Sequence, residues 1–352
     1  MVKRSQSRMR VISALVFFSL LALSLPTGSQ AADTEVHGYG FQGYLLSNKN
    51  SYLDAKEGTW NYNEVAVLFT SKVEDRTTVW IQLFGNSEKF GVDWAFVDYR
   101  IADDFYARAG QMKFPIGIYN EIRDNKMLQL SMLEPVMYRP DVDFIFEAYR
   151  GAGVYYNGVV NVDLFGGAPV TEEEEGVKLK VKNLRGGRLI YNTPLDGLRL
   201  MASYAAFSEE QFDATSGSVL AGEGHEQLTV GSIDFVRGGA DVKAEYAKKK
   251  GIDEEFTSYY AQAGYTFAET VTPFVRYDYL LNDAEGCSGS DASCYQKDLT
   301  VGVGYKFNPY FAVKVEEHFM DGFLVPLQTG EVTAEDAAKQ WEMFVAGINF
   351  MF

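Results

Sequence analysis

After about residue 32 the chain is a succession of short segments in which apolar and polar residues alternate at period two. The alternation is clearest in KDLTVGVGYKF. Leu299, Val301, Val303, Tyr305 and Phe307 share one face, and Thr300, Gly302, Gly304 and Lys306 share the other. A turn at Asn308-Pro309 follows. In FAVKVEEHF, Phe311, Val313 and Val315 then oppose Lys314, Glu316 and His318. Strand side chains point to opposite faces in turn, so one face of each segment meets an apolar environment and the other a polar one. With ~10 residues per strand as the template, about sixteen strands are predicted. They lie at 35–47, 59–71, 77–86, 92–101, 104–113, 149–157, 158–167, 184–192, 197–207, 226–237, 239–250, 256–267, 270–281, 297–307, 309–320 and 341–352. A soluble sandwich also alternates, with its polar face toward water, so period alone leaves both architectures open.

The connections are of two kinds that take turns. Ile101–Asp104, Asn157-Gly158, Asn192–Gly197, Gly238-Gly239, Ala268-Glu269 and Asn308-Pro309 are short. Ser47–Gly58, Pro115–Ala148, Ala168–Asn183, Ser208–Gly224, Asn282–Gln296 and Asp321–Lys339 are long. A closed transmembrane barrel with tight turns at one rim and long loops at the other produces this rhythm. An even strand count leaves both termini at one rim, and sixteen strands leave an aqueous lumen. Connection Pro115–Ala148 is far longer than a structureless loop should be without a task. Within it, Asn125–Leu133 is expected to form a short helix between Pro115 and Pro135. The acidic run Glu172–Glu175 and the basic run Lys248–Lys250 read as solvated loop surface.

The first 31 residues stand apart. Lys3, Arg4, Arg8 and Arg10 precede an apolar run, Val11–Leu25, and then Pro26 and the polar stretch TGSQAA. That is the layout of a secretory signal peptide, with cleavage expected after Ala31. An uncleaved anchor is the competing reading, but the run is shorter than the ~18–20 residues a spanning helix needs. The chain is therefore divided into a signal peptide, 1–31, and a barrel, 32–352. Removing the four signal-peptide charges takes 32 basic residues to 28 against 48 acids, a net charge of −20. A surface so acidic argues against nucleic-acid binding.

An aromatic content of 14%, 33 glycines and only 9 prolines suit a strand-rich protein with aromatic girdles. Cys287 and Cys294 bracket a Gly/Ser/Asp-rich stretch. Export implies an oxidising compartment, so a loop disulfide is expected between them. Their spacing is not C-x-x-C and no His lies nearby, so no metal or redox pair is expected. H-E-x-x-H, G-x-S-x-G, P-loop and C-x-x-C-H motifs are all absent. His37, His225 and His318 are scattered. No catalytic role and no cofactor is expected.

Two stretches and the final strand carry a resemblance. GQMKFPIGIYNEIRD, Gly110–Asp124, resembles the G-x-x-K-x-P-x-G-x-Y-N-x-x-R-D stretch of Gram-negative porins related to the phosphate-selective group. GGRLIYNTPLDGLRL, Gly186–Leu200, resembles a strand–turn–strand of such porins. On the last strand Phe344, Ala346, Ile348, Phe350 and Phe352 share one face and end on Phe. That strand resembles the porin terminus read by the barrel-assembly machinery, which marks Phe344, Ile348, Phe350 and Phe352 as an assembly signal.

The resemblance implies a 16-stranded antiparallel all-β transmembrane barrel whose third long loop folds into the lumen and narrows it. It implies a homotrimer in the Gram-negative outer membrane, in contact with lipopolysaccharide and lipid, and passive diffusion of small polar solutes or ions. The constriction candidates are Lys113, Glu121, Arg123, Asp124, Lys126, Glu134, Arg139, Asp141, Asp143 and Arg150. Opposed across the pore they would create a transverse field. Paired with one another they would pin the loop to the wall. On the lumen wall Arg199, Lys243, Arg276, Lys306 and Lys314 meet Asp163, Asp234, Asp241, Glu245, Asp278 and Glu316. Charge rings set ion preference, and this mixed set favours neither sign over the ladder of basic residues found in phosphate-selective porins. A diffusion porin is therefore the leading expectation. An anion- or phosphate-selective channel, a barrel enzyme and a non-conducting sheath of a multi-protein complex are the alternatives.

Overall fold

The computed structural model describes residues 33–352, except 88, 140, 141, 143, 171–176, 214, 215, 217, 252–254 and 285. The expected signal peptide, residues 1–31, and the acidic run 172–175 lie outside the described residues.

Sixteen antiparallel strands form a closed barrel. They are β1 (Asp33–Ser47), β2 (Thr59–Glu74), β3 (Thr77–Gly85), β4 (Phe90–Ala102), β5 (Phe105–Lys113), β6 (Ala148–Tyr156), β7 (Val160–Pro169) and β8 (Val177–Asn192). The remainder are β9 (Leu198–Asp213), β10 (Val219–Arg237), β11 (Ala240–Lys250), β12 (Glu255–Tyr265), β13 (Val271–Asn282), β14 (Tyr295–Asn308), β15 (Phe311–Gly322) and β16 (Gln340–Met351). Every predicted strand has its counterpart. β1 pairs with β16 from Tyr39↔Met351 to Ser47↔Met343. That pairing leaves no edge strand, so every ladder group can be satisfied without water. Phe352 N and O are bonded to Gly38 O and N at 2.8 and 2.9 Å, which ties the two ends of the barrel together.

The expected alternation holds on the outer surface. Leu299, Val301, Val303, Tyr305 and Phe307 are exposed, whereas Asp298 and Thr300 on the same strand are buried. Aromatic residues collect near both rims. At the turn end, Tyr305–Phe307, Phe307–Phe311 and Tyr265–Phe267 make ring contacts at 4.7, 5.2 and 4.8 Å. Toward the loop end, Tyr259 and Tyr279 meet at 5.1 Å. Such girdles belong at the levels where an apolar band meets water. Phe344, Ile348, Phe350 and Phe352 all lie on this outer side of the seam.

Several expectations change. β9 and β10 continue past residue 207 and begin before residue 226, so their connection shrinks to 214–218. Strict alternation lapses in their outer ends, SEEQFD on β9 and the Gly-rich VLAGEGH on β10, which hides the period. Lys248–Lys250 is the end of β11 and not a loop. Lys248 and Lys250 face outward, and Lys249 is buried, with its ammonium 5.9 Å from the Phe146 ring. His225 lies within β10, exposed, with Nδ1 3.1 Å from Ser208 Oγ. Cys287 and Cys294 form the expected disulfide within loop 283–294. Connection 48–58 is tied to connection 323–339 through Glu331, which accepts Leu53 N, Ser51 Oγ and Asp54 N at 2.6, 2.9 and 3.0 Å.

The inner face departs from a simple polar lumen. Phe41, Leu45, Leu184, Phe207, Leu228, Phe256, Leu280, Met320 and Met343 point inward and are buried. They form one core cluster with residues of the long connection 114–147.

Candidate functional site

The candidate site is connection 114–147, where the barrel encloses chain of its own. β5 stops at Lys113 because Pro115 has no N–H to continue the ladder. Phe114 N donates to Glu147 O at 2.8 Å and closes the neck of the loop. The Asn120 side chain braces it, donating to Phe114 O at 2.7 Å and Glu147 O at 3.1 Å. Ile116, Tyr119, Met132, Leu133, Met137 and Tyr138 are almost wholly buried. Burying each large apolar side chain contributes about 1.5–3 kcal/mol, so the loop is packed like a core segment.

The expected helix at Asn125–Leu133 is absent. That stretch is turns and bends, and single 3-10 turns lie outside it at Tyr119–Glu121 and Val136–Tyr138. Its backbone groups bond elsewhere. Met132 N and Leu133 N donate to Glu316, at 3.0 and 3.3 Å. The Lys314 ammonium takes the carbonyls of Lys126 and Gln129, and the Gln129 amide takes those of Ile122 and Arg123. Wall groups thus satisfy donors and acceptors that a helix would have satisfied internally.

Four wall carboxylates hold the loop. Glu316 also accepts Ser131 Oγ at 3.0 Å. Asp278 accepts Val136 N at 3.2 Å and Arg276 Nε at 2.6 Å. Asp298 accepts Arg139 Nη2 at 2.8 Å. Glu245 accepts the backbone N–H groups of Ile118 and Tyr119 at 2.8 and 3.0 Å. His318 stands between two of these groups, with Nδ1 2.9 Å from Asp298 and Nε2 3.1 Å from Glu316. Arg276 also donates to Leu133 O at 2.7 Å.

The loop's own charges are paired. Lys126 meets Glu134, and Glu121 meets Arg188 of β8 at 2.7 Å. Lys113 meets Asp124, and Glu147 at 3.1 Å. Arg123 donates to Ile145 O at 3.2 Å and lies 4.0 Å from Glu147. Pairing and pinning therefore account for these residues better than an unpaired transverse array. Burial raises the Asp124 carboxyl to about 7, with Lys113 opposing and Glu147 adding to the rise. Burial also pushes Glu147 upward, but Lys113 and Arg123 outweigh it and hold Glu147 below the usual carboxylate range. Asp93, Asp124 and Glu147 each place a ligand-capable atom within 4.8 Å of the others. The Lys113 ammonium already sits against two of them.

Two expected constriction residues, Asp141 and Asp143, lie outside the described residues. Arg150 is a correction. It faces outward, because Tyr149 before it points in and packs on Phe114 and Phe165 at 6.3 and 5.6 Å. Its Nε donates to Gln111 Oε1 at 2.8 Å on the outer surface. Lys306 is exposed at the turn end of β14, away from the loop. Arg199 pairs with Asp234 at 2.6 Å, and Lys243 with Asp241. Arg108 did not stand out in the sequence. It forms a two-pronged pair with Asp98 at 2.6 and 2.9 Å, between the rings of Phe96 and Tyr155 at 4.4 and 4.9 Å. Asp298, Tyr138 and Tyr260 were missed as well. The alternation of β14 puts Asp298 in phase with Thr300, but nothing local marks its partner 159 residues away.

No protein-family model matches the chain, and no curated protein matches it in sequence. Solved structures do match in fold. The outer membrane channel DcaP of Acinetobacter baumannii superposes with a TM-score of 0.60 at 12% identity, over 92% of this chain and 99% of that one. An anion-selective porin from Comamonas acidovorans gives 0.61 at 13%, over 91% and 100%. OmpT of Vibrio cholerae, in a form described as a trimer, gives 0.61 at 11%, over 92% and 100%. At such identities the likeness is one of fold, a closed 16-strand porin-type barrel.

Proposed function

We propose that this chain is an outer-membrane porin of a Gram-negative cell. It lets small hydrophilic solutes and ions diffuse through a lumen narrowed by loop 114–147. The single observation that carries the reading is the loop itself, a long segment folded inside a closed 16-strand barrel and fixed to inward-facing charges. A rigid scaffold with a fixed, charged narrowing is what selective permeation requires. The porin and channel neighbours supply a general precedent, as does the trimeric form of one of them for a homotrimer. Residues 1–31 would direct export, the Phe352 strand would engage the assembly machinery, and the girdles would meet lipid and lipopolysaccharide.

Phosphate or general anion selectivity has no support of this kind. Arg108, Lys113, Lys126, Arg139, Arg188, Arg199, Lys243 and Arg276 each have a carboxylate within ion-pair distance. Glu64 and Asp93 have no such cation, but the buried Lys249 and Lys314 have no such carboxylate either among the described residues, so pairing favours neither sign. Planar-bilayer recording of the folded protein tests the function. Discrete conductance steps with a reversal potential close to zero are expected in a salt gradient. Properly inserted protein that gives no steps would overturn it.

A further inference from the structure

Glu245 differs from the other three carboxylates that hold the loop. Asp278 has Arg276, Asp298 has Arg139, and Glu316 has His318. Glu245 has no ion pair among the described residues, yet it is only 3% exposed. Hydrogen-bond donors alone surround it. Oε1 accepts Tyr119 N, Tyr138 Oη and Tyr260 Oη at 3.0, 3.0 and 2.8 Å. Oε2 accepts Ile118 N and Ser232 Oγ at 2.8 and 2.6 Å. Three of the five donors come from the loop and two from the wall.

The chain around the carboxylate is shaped to it. Gly117 has φ +64°, a left-handed conformation that suits glycine. A Cβ there would come within 2.5 Å of Glu245 Oε2 and 2.0 Å of Tyr138 Oη. Gly117 N donates to Ser203 Oγ at 3.2 Å, and Arg188 Nη1 donates to Gly117 O at 3.3 Å. The turn is thereby held against β8, β9 and β11 together. Stacking of Tyr119 on Tyr138 at 5.3 Å joins the first and second halves of the loop at the same point.

We propose that Glu245 is the positioning residue of the channel: its carboxylate, bound only by donors, docks both halves of loop 114–147 against the β11 wall and so sets the width of the passage. The role rests on the channel reading above. Permeating solutes need not touch Glu245, which acts through the loop. A glutamine of the same shape turns an NH2 toward donors. Hydroxyls can rotate to accept, but a backbone N–H cannot, so Ile118 N or Tyr119 N loses its acceptor. A buried unsatisfied donor is unfavourable, and the loop shifts to find water. No buried cation is left without its partner, so the barrel remains folded.

The test is single-channel recording of wild type, Glu245→Gln and Gly117→Ala in planar bilayers. Heat-modified gel mobility monitors the barrel alongside. Both substitutions are expected to raise conductance severalfold and add open-state noise, with gel mobility as in wild type. The double variant should exceed neither single variant, because both release one contact. Substituting the exposed Glu57 to Gln should change nothing. Wild-type conductance and noise in both folded variants would overturn the positioning role and leave the channel reading intact. Absence of steps from folded wild type would instead overturn the channel reading. If Glu245→Gln fails to fold, Gly117→Ala alone decides, by the same two outcomes.

Discussion

Arg139 of the loop and Asp298 of β14 form an ion pair at 2.8 Å in which neither side chain is more than 2% exposed. Their losses should not be equivalent. With Arg139 replaced by Met, Asp298 keeps His318 at 2.9 Å and Thr300 at 3.2 Å. With Asp298 replaced by Asn, two buried cations lose a carboxylate at once, Arg139 at 2.8 Å and His318 at 2.9 Å, although Arg139 retains the Glu134 carbonyl at 3.0 Å and the Tyr52 ring at 5.6 Å. Removing one partner of a buried ion pair costs about 3–5 kcal/mol. Asp298→Asn is therefore expected to lower stability by about that amount, and Arg139→Met by clearly less. Urea unfolding in lipid vesicles, followed by tryptophan fluorescence, measures both. Equal losses would count against this account of the pair.

Asp124 should make ion preference depend on pH near neutrality. Burial raises its carboxyl to about 7. Below that value it is neutral, and above it the loop gains one negative charge. Cation preference should accordingly increase as pH rises from about 6 to about 8, since charged rings at a narrowing set ion preference. Asp124→Asn should flatten the dependence and hold the low-pH value throughout. Reversal potentials in a fixed salt gradient check both statements. An unchanged pH dependence in the variant would place the titrating group elsewhere.

The barrel was legible because one surface of a closed sheet imposes a rule on every second residue. Leu299, Val301, Val303, Tyr305 and Phe307 all stand exposed on that one surface, so the period survives in the sequence. Where that constraint ends, the signal ends, and the outer parts of β9 and β10 were read as loop. The inner face obeys a different rule, since Leu228 and Met343 are apolar because loop 114–147 packs on them. Arg150 was grouped with the constriction residues of the loop, but it belongs to β6, where alternation puts it on the outer face. The length and the GQMKFPIGIYNEIRD stretch made the existence of the loop legible. Its partners were not, because Ile118 and Glu245 are 127 positions apart and nothing local links them. The expected helix failed for the same reason, as Met132 and Leu133 give their N–H groups to distant Glu316.

A charge placed on the outer face should separate a membrane barrel from a soluble one. Val275 is 43% exposed, between Ala263 on β12 and Val301 on β14 in the register. A lipid-facing Arg costs roughly 2–4 kcal/mol at mid-bilayer and little near the interfaces. Val275→Arg should therefore lose stability in vesicles by an amount in that range, whereas Val219→Arg at the outer end of β10 should lose little. Unfolding titrations in vesicles of one lipid composition compare the two. Indifference to charge at Val275 would mean that this face does not meet hydrocarbon.

Phe352 should matter for assembly more than for permeation. Its backbone closes the seam through Gly38, and its ring packs where a Cβ on Gly38 would stand, 2.1 Å from the nearest ring atom. The side chain itself is 59% exposed, so most of it faces outward and little is buried in the barrel. Replacing Phe352 by Ala retains both backbone hydrogen bonds and removes a ring that contributes little packing. Stability of the refolded variant should therefore fall by no more than about 1 kcal/mol, since burial contributes roughly in proportion to the area removed from water. In cells the expectation is different, because the terminal aromatic strand is the feature the assembly machinery would read. The variant should accumulate in the periplasm, and heat-modifiable barrel in outer-membrane fractions should drop severalfold. Protein refolded from denaturant into detergent should conduct as wild type does. Normal outer-membrane yield of Phe352→Ala would remove the terminal ring from the assembly signal, and a refolded variant that fails to close would assign it to the seam instead.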